Sequence, residues 1–253
     1  MYFNRNYFEL LLAFTEKEIK VRYKQTILGL GWSLALPLLQ MLIIGFIFSF
    51  FIRMDIKNYF LLLLCGLLPW EFFIRSWLKS TTVFIEQRQI LQKAKFPREI
   101  LVVSIILGNL FDIILAFPLL LLLIFSFGQL KLLNIIIYVL MILFLTMFTV
   151  CISLFTATLE AQYRDVNFIV QAISRLWFYA TPIVYFINLI PHEWQILFAF
   201  NPLSLMFMGF QQMVVQMQLP LFLVISNLTL SLVIMTAGIL CFYKLQSSVV
   251  DHV

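Results

Sequence analysis

The chain consists of long uncharged apolar runs separated by short segments that collect nearly all of its charged residues. A membrane-spanning helix needs about 20 predominantly apolar residues at a rise of about 1.5 Å per residue. The pattern therefore predicts six spans, at residues 34–52, 59–78, 100–127, 134–158, 166–186 and 219–243. The predicted fold class is an all-α integral membrane protein, with a single transmembrane domain over residues 1–253.

Two other segments have helical character without the form of a simple span. Residues 7–24 repeat apolar side chains at three- and four-residue steps and keep most charges off that stripe, which predicts an amphipathic helix in the membrane interface. Residues 191–218 are broken by Asn201-Pro202 and by several glutamines, which predicts one or two short external helices that either are re-entrant or lie on the membrane surface. Irregular backbone of this kind is tolerated at membrane depth only where protein buries it or where it lines a cavity.

The densest run of charge lies between the second and third predicted spans, at residues 84–99, FIEQRQILQKAKFPRE. Because apolar spans flank it, this segment must lie in water. Pro97 disfavours helical geometry at Phe96, so the pattern predicts a short helix parallel to the membrane that ends in a turn. Two interpretations remain open from the residues alone: a helix that docks into another protein, or a solvated basic loop.

Composition supports the membrane assignment, and the distribution of charge predicts the orientation. The chain is 63% hydrophobic and 11% charged, whereas soluble domains contain about 25% charged residues. Thirteen of the 17 lysines and arginines fall on one side of the predicted topology, which places both termini and residues 84–99 in the cytoplasm. These basic residues lie in separate loops and form no single patch, so we expect no nucleic-acid partner.

No enzyme motif accompanies this topology. The sequence has no GxxxxGK[ST] loop, so we do not expect the chain itself to bind ATP through a P-loop. It has two histidines and no HExxH motif or His/Cys cluster, so we expect no cofactor and no metal to be held here. The few ionisable residues inside the predicted spans are Glu71, Arg75, Asp112 and Arg175. Glu71 and Arg75 share a helix face at i,i+4 and can neutralise each other. Such intramembrane charges are functional candidates by default, and the alternative is that they fix helix packing.

Aromatic residues make up 17% of the chain, and its tryptophans and several tyrosines cluster near predicted span ends or prolines. Interfacial aromatic belts explain most of them. The alternative is a pathway lined by flat rings, which suits a sugar polymer because the apolar faces of sugars pack on aromatic faces.

Several segments together resemble the permease subunit of type-2 ABC exporters, in the branch that exports O antigen, capsule or teichoic acid. The matching segments lie in family order and cover nearly the whole chain: EIKVRYKQTILGLGWSLALPLL, GLLPWEFF, ILQKAKFPRE, YRDVNFIV, LWFYATPIVY and NPLSLM. The resemblance implies a homodimer in the cytoplasmic membrane of a bacterium, bound to two copies of an ATPase subunit and exporting a lipid-linked polysaccharide.

The resemblance also implies roles for individual residues. Residues 84–96 would form the coupling helix that enters a groove on the ATPase. The ATPase-coupling residues would be Phe84, Gln89, Ile90, Leu91, Lys93, Phe96, Pro97, Arg98, Glu99, Arg164 and Asp165. The substrate pathway would include Trp32, Trp70, Tyr179 and Tyr185.

Two other functions are compatible with parts of the sequence. One keeps the fold and changes the cargo to a drug or a small lipid. The other is a polytopic membrane transferase, which would need acids, histidines or arginines gathered at one membrane face. Here His192 and Glu193 are nearly alone on the external side.

Overall fold

The computed structural model describes residues 5–27, 29–48, 59–94, 96–126, 132–214 and 221–252. Within those ranges the regular structure is helical. The α-helices are α1 (Arg5–Tyr23), α2 (Trp32–Phe46), α3 (Tyr59–Thr81), α4 (Val83–Glu86), α5 (Arg88–Lys93), α6 (Glu99–Ser126), α7 (Leu132–Gln162), α8 (Val166–Tyr179), α9 (His192–Ala199), α10 (Pro202–Val214) and α11 (Leu221–His252). Short 3-10 turns at Gly29–Gly31 and Ile187–Leu189 precede α2 and α9.

Four helical stretches of the described chain are long and apolar enough to span a membrane, which confirms the first four predicted spans. They are Gly29–Phe46, Tyr59–Thr81, Glu99–Ser126 and Leu132–Gln162. Residues 53–57 and 128–131, which lie between predicted spans, are outside the described residues, as are residues 215–218 at the end of the 191–218 segment.

Helix α3 forms the centre of the bundle. Its N-terminal half is apolar on all sides, and a helix of that kind is buried by its neighbours. The side chains from Leu61 to Cys65 have no exposed surface. Helices α2, α6, α7, α8 and α10 all pack against α3.

Helix α11 packs along α7 through a close backbone approach. A Cβ atom placed on Gly238 would lie 2.8 Å from the Cβ of Cys151, so only glycine permits this spacing, as at other membrane helix contacts. The helix continues to His252, beyond residue 243 where the predicted sixth span ends.

The fifth predicted span, at residues 166–186, is not one continuous helix. Helix α8 ends at Tyr179, after 14 residues. Pro182 disfavours helical geometry at Thr181, and side chains from elsewhere in the chain hydrogen-bond to the backbone carbonyls that follow the helix. The Nδ2 of Asn201 donates to the carbonyl of Ala180 at 2.9 Å, and the Nε2 of Gln211 donates to the carbonyl of Pro182 at 2.6 Å.

The segment after α8 is buried by protein, as irregular backbone at membrane depth requires. Thr181, Ile183 and Val184 are all buried. The sequence predicts one or two short helices within residues 191–218, and two are present, α9 and α10. Asn201 begins the second of them: its Oδ1 accepts the N–H of Leu203 at 3.1 Å, and Pro202 occupies the first helical position.

Candidate functional site

The charged segment at residues 84–99 forms two short helices, so the prediction of one helix over residues 84–96 is wrong. The chain breaks at Gln87, whose φ and ψ are −99° and 21°, and becomes extended at Ala94, with φ −129° and ψ 132°. Helices of four and six residues are too short to be stable alone. Packing against the bundle, rather than the local sequence, therefore determines where they begin and end.

Packing divides the predicted coupling residues into two groups. Phe84 has no exposed surface and belongs to the core, where it anchors α4. Its predicted role in ATPase coupling stays a prediction, and any such role would act through packing rather than through an exposed contact. Leu91 and Phe96 are half-buried against the core, and Phe96 stacks on Phe14 of α1 with ring centroids 5.8 Å apart. Ile90, Arg98 and Glu99 are also half-buried.

The outward surface of the segment is polar. The exposed residues are Glu86, Arg88, Gln89, Gln92, Lys93, Ala94 and Pro97. We call Arg88, Gln89, Gln92, Lys93 and Pro97 the polar docking surface. The exposed loop residues Arg164 and Asp165 lie at the same end of the bundle, because α4 packs against α7 and the hydroxyls of Thr81 and Thr156 are 2.9 Å apart. The structure therefore brings the two predicted coupling regions to one end.

Helix α1 is tied to this end and to α6 by charged side chains. Glu18 pairs with Lys79 of α3, and Arg22 pairs with Asp112 of α6. The Nζ of Lys17 lies 3.4 Å from the Oε1 of Gln87, at the break between the two short helices. The exposed Phe8 and Leu12 show that only part of the predicted apolar stripe faces protein.

Sequence reasoning missed these pairs, although one signal was present. Glu18 and Arg22 are spaced i,i+4 and fall beside Thr15 and Ile19, on the stripe that the apolar residues define. When charged residues lie on the apolar stripe of a helix, the helices that pack against that stripe are expected to carry oppositely charged partners.

Two of the intramembrane charges form the predicted pair. The Nε of Arg75 lies 3.0 Å from the Oε2 of Glu71, which confirms the i,i+4 contact. The Nε2 of Gln40 in α2 donates to the other carboxylate oxygen of Glu71 at 2.8 Å. Together with the Arg22–Asp112 pair, this leaves Arg175 as the one candidate intramembrane charge for which the described residues provide no partner.

A groove of about 650 Å³ lies between α3 and α8, and Arg175 is on its wall. Of the predicted pathway residues, Trp70 and Tyr179 also line it, whereas Trp32 does not. Tyr185 lies nearby, since its hydroxyl donates to the carbonyl of Tyr179 at 2.8 Å. The remaining lining residues are Ile74, Leu78, Lys79, Thr82, Asn167, Gln171, Ser174 and Phe178.

Two tryptophans of α3, the helix that forms one wall of the groove, are internal. Trp70 and Trp77 are 5% and 2% exposed, so the interfacial-belt interpretation is wrong for these two. Trp70 packs on Phe178 and Phe207, at centroid distances of 5.5 and 5.9 Å. These contacts are of the tilted and edge-to-face kinds that stabilise aromatic clusters, and they hold one wall of the groove in place.

No group of three or more His, Cys, Asp or Glu residues that could hold a metal ion occurs within the described ranges. The arrangement instead offers two features: a polar surface at one end of the bundle and a groove that leads from that end into the apolar layer.

Comparison with known proteins identifies the family. The ABC-2 type transporter family matches residues 9–215. The chain is 34% identical over 215 residues to the O-antigen export system permease protein RfbA of Klebsiella pneumoniae, covering 84% of this chain and 83% of that protein. It is 30% identical over 213 residues to the protein of the same name from Myxococcus xanthus, covering 83% and 82%. The chain belongs to the ABC-2 type transporter family, as one of its multi-pass membrane components.

Proposed function

We propose that this protein is the permease subunit of an ATP-driven exporter that moves a lipid-linked polysaccharide across the bacterial cytoplasmic membrane. The observation that carries the proposal is the family match over most of the chain, together with two relatives whose names describe O-antigen export. The cargo belongs to the class of O antigen, capsule or teichoic acid. A separate ATPase subunit binds and hydrolyses the ATP.

In this proposal the chain crosses the membrane six times, and both termini are cytoplasmic. The segment from Val166 through the buried residues 181–184 forms the fifth crossing, and α11 forms the sixth. Helices α9 and α10 lie on the external side. The excess of lysine and arginine at the end of the bundle that carries the polar docking surface supports this orientation.

The polar docking surface and the Arg164-Asp165 loop form the contact with the ATPase. Two observations support this assignment: these residues are exposed, and they lie at one end of the bundle, where charged side chains surround the short helix α5. When two ATPase subunits close on ATP, they would press on α5. Movement would pass through the buried Phe84 into α3 and through the Phe96–Phe14 stack into α1.

A second copy of the chain covers the open side of the groove. The groove carries Lys79, Gln171 and Arg175, and charged side chains are costly when they face lipid tails. A homodimer would remove this cost by enclosing both grooves between the subunits. The enclosed space, with Trp70 and Tyr179 on its wall, would form the pathway for the glycan.

The test is whether an ATPase subunit co-purifies with the protein and depends on α5. We would extract the tagged protein from its native membrane in mild detergent and identify the co-eluting chains and their stoichiometry. Gln92→Pro should abolish both co-purification and export, because proline removes a helical N–H inside α5. Gln92→Ala is the matched control, since it changes the same exposed side chain and keeps the helix.

Each outcome of this test is informative. An ATPase at one-to-one stoichiometry, retained with Gln92→Ala and lost with Gln92→Pro, would support both the exporter and its docking surface. Normal export with Gln92→Pro would eliminate α5 as the coupling element. Purification of the chain alone, under conditions that preserve other membrane complexes, would overturn the proposed function itself.

A further inference from the structure

One face of α8 carries a row of polar and aromatic side chains that lines the groove. Asn167, Gln171, Ser174, Arg175 and Phe178 recur at three- and four-residue steps and therefore share a face of the helix. The Nε2 of Gln171 donates to the Oδ1 of Asn167 at 3.1 Å. This contact fixes the amide row at the end of α8 nearest the Arg164-Asp165 loop.

The opposite wall comes from α3, which runs antiparallel to α8. At one end of the groove Trp70 packs on Phe178, with ring centroids 5.5 Å apart. At the other end Lys79 and Thr82 face the part of α8 that begins with Asn167. The groove is therefore polar and cationic near the ATPase-facing end of the bundle and aromatic at a greater depth. Arg175 lies between the two regions.

The electrostatics of the groove are one-sided. Two cationic residues line it, and none of the described residues in its lining is acidic. Lys79 is neutralised by Glu18, and the acids that lie nearest to the membrane interior, Glu71 and Asp112, are paired with other arginines. Arg175 makes no hydrogen bond or ion pair with any described residue. Arg175 is exposed on the open side of the groove, within the fifth crossing of the proposed topology. A charge at that position requires a counter-charge, and the described chain does not supply one.

The residue types indicate which anion would fit. A guanidinium is planar and binds phosphate oxygens through two parallel hydrogen bonds. The amides of Gln171 and Asn167 and the hydroxyl of Ser174 offer further donors along the same face. Trp70, Phe178 and Tyr179 provide flat apolar rings next to Arg175, of the kind that the apolar face of a sugar covers. The groove volume of about 650 Å³ is within the range of small-molecule sites and exceeds what a phosphate alone requires.

We propose that this groove binds the phosphoryl head group of the lipid-linked glycan, with Arg175 on the phosphate and the aromatic wall on the first sugar. The inference rests on the proposed function and adds the part of the substrate that is recognised and the residues that recognise it. Arg175 and Tyr179 would contact the substrate directly. Lys79 is held at the entrance by its pair with Glu18, so the unpaired positive charge of the groove is that of Arg175.

The test is equilibrium binding to the intact permease–ATPase complex in nanodiscs. The probes are radiolabelled farnesyl-diphospho-N-acetylglucosamine and farnesyl diphosphate. They differ in the sugar and in the one ionisable phosphate oxygen that the sugar esterifies, so each variant is compared with the wild type for the same probe. Unlabelled inorganic diphosphate is the competitor. Arg175→Gln should weaken binding of both probes at least about tenfold, because charge-assisted hydrogen bonds to phosphate are lost. Tyr179→Leu should weaken only the probe that carries the sugar. Lys244→Gln, which removes an exposed charge on α11, is the control and should bind both probes normally.

Unchanged binding of both probes by Arg175→Gln would overturn the inference. Competition by inorganic diphosphate as strong as that by the unlabelled lipid probe would also overturn it, because the site would then be one for a small anion. Elution of every variant as one complex with its ATPase would show that the substitutions leave the fold intact. If the proposed function itself is wrong, no ATPase will co-elute. If only this inference is wrong, the ATPase will co-elute and the substituted complexes will bind the probes normally.

Discussion

The salt bridge between Arg22 and Asp112 allows a direct test of how the N-terminal helix is held. The two side chains are 20% and 12% exposed, and the hydroxyl of Tyr23 also donates to Asp112, at 2.5 Å. Burial, reinforced by the hydrogen bond to Asp112, raises the pKa of Tyr23, so the phenol keeps its proton and remains a donor. The substitution Asp112→Asn keeps an acceptor for Tyr23 and leaves the charge of Arg22 unpaired.

The expected magnitude follows from the burial of the pair. Removing one partner of a fully buried salt bridge costs about 3–5 kcal/mol, whereas an exposed pair contributes at most about 1 kcal/mol. For this partly buried pair we expect a loss of about 2 kcal/mol, discounted for solvent screening. In a chain of this size the corresponding shift in Tm is about 4–8 °C. The double variant Arg22→Gln/Asp112→Asn should lose clearly less than the two single variants combined, because it leaves no unpaired charge.

The assay is thermal stability of the purified protein in detergent, measured as the fraction that still elutes as a single species after heating. The control is Lys20→Gln, which breaks the exposed Lys20–Glu16 pair on the same helix, whose side chains are 73% and 64% exposed; it should cause no measurable shift. Fully additive shifts in the double variant would refute the reasoning, since they would mean that Arg22 and Asp112 do not interact and that α1 is not fixed to α6 here.

Two further predictions concern helix packing and topology. Gly238→Ala should lower the Tm, because the new Cβ would lie 2.8 Å from the Cβ of Cys151 and overpacking costs about 1–3 kcal/mol. Gly108→Ala is the control and should leave the Tm unchanged, because its new Cβ would lie 3.4 Å from its nearest neighbour, the Cβ of Glu18. Equal decreases in Tm for the two variants would count against the α7–α11 contact. A cysteine introduced at the exposed Lys93, in a chain without its native cysteines, should react with an impermeant maleimide only in inside-out vesicles; labelling in intact cells would reverse the proposed orientation.

Local patterns were sufficient for the features that depend on local physics. The uncharged runs predicted the first four spans because span length and composition are set by the bilayer itself. The Glu71–Arg75 pair followed from i,i+4 spacing within one helix. Both predictions needed only residues that are close together in the sequence.

The features that the sequence did not predict depend on distant partners. Helix α8 ends at Tyr179 because Asn201 and Gln211 supply hydrogen bonds to the residues that follow it. Phe84 is buried because helices that precede and follow it in sequence close over it. Trp70 could equally have faced lipid or protein, since an apolar helix suits both environments and composition does not distinguish them. In each case the deciding contact is remote in sequence.

Helix α3 connects the two proposed sites. Its C-terminal end leads into α4 and α5 and holds Lys79, which pairs with Glu18 of α1. One wall of the groove is the same helix, from Trp70 to Lys79, a length of about 14 Å at the helical rise. The Glu71–Arg75 pair and the Trp70 contacts to Phe178 and Phe207 make this stretch rigid. Only two single-residue breaks, at Thr82 and Gln87, separate the polar docking surface from this helix. Pressure on that surface would therefore reach the groove wall through packed helices rather than through a long loop, which is the physical continuity that coupling between ATP hydrolysis and substrate movement requires.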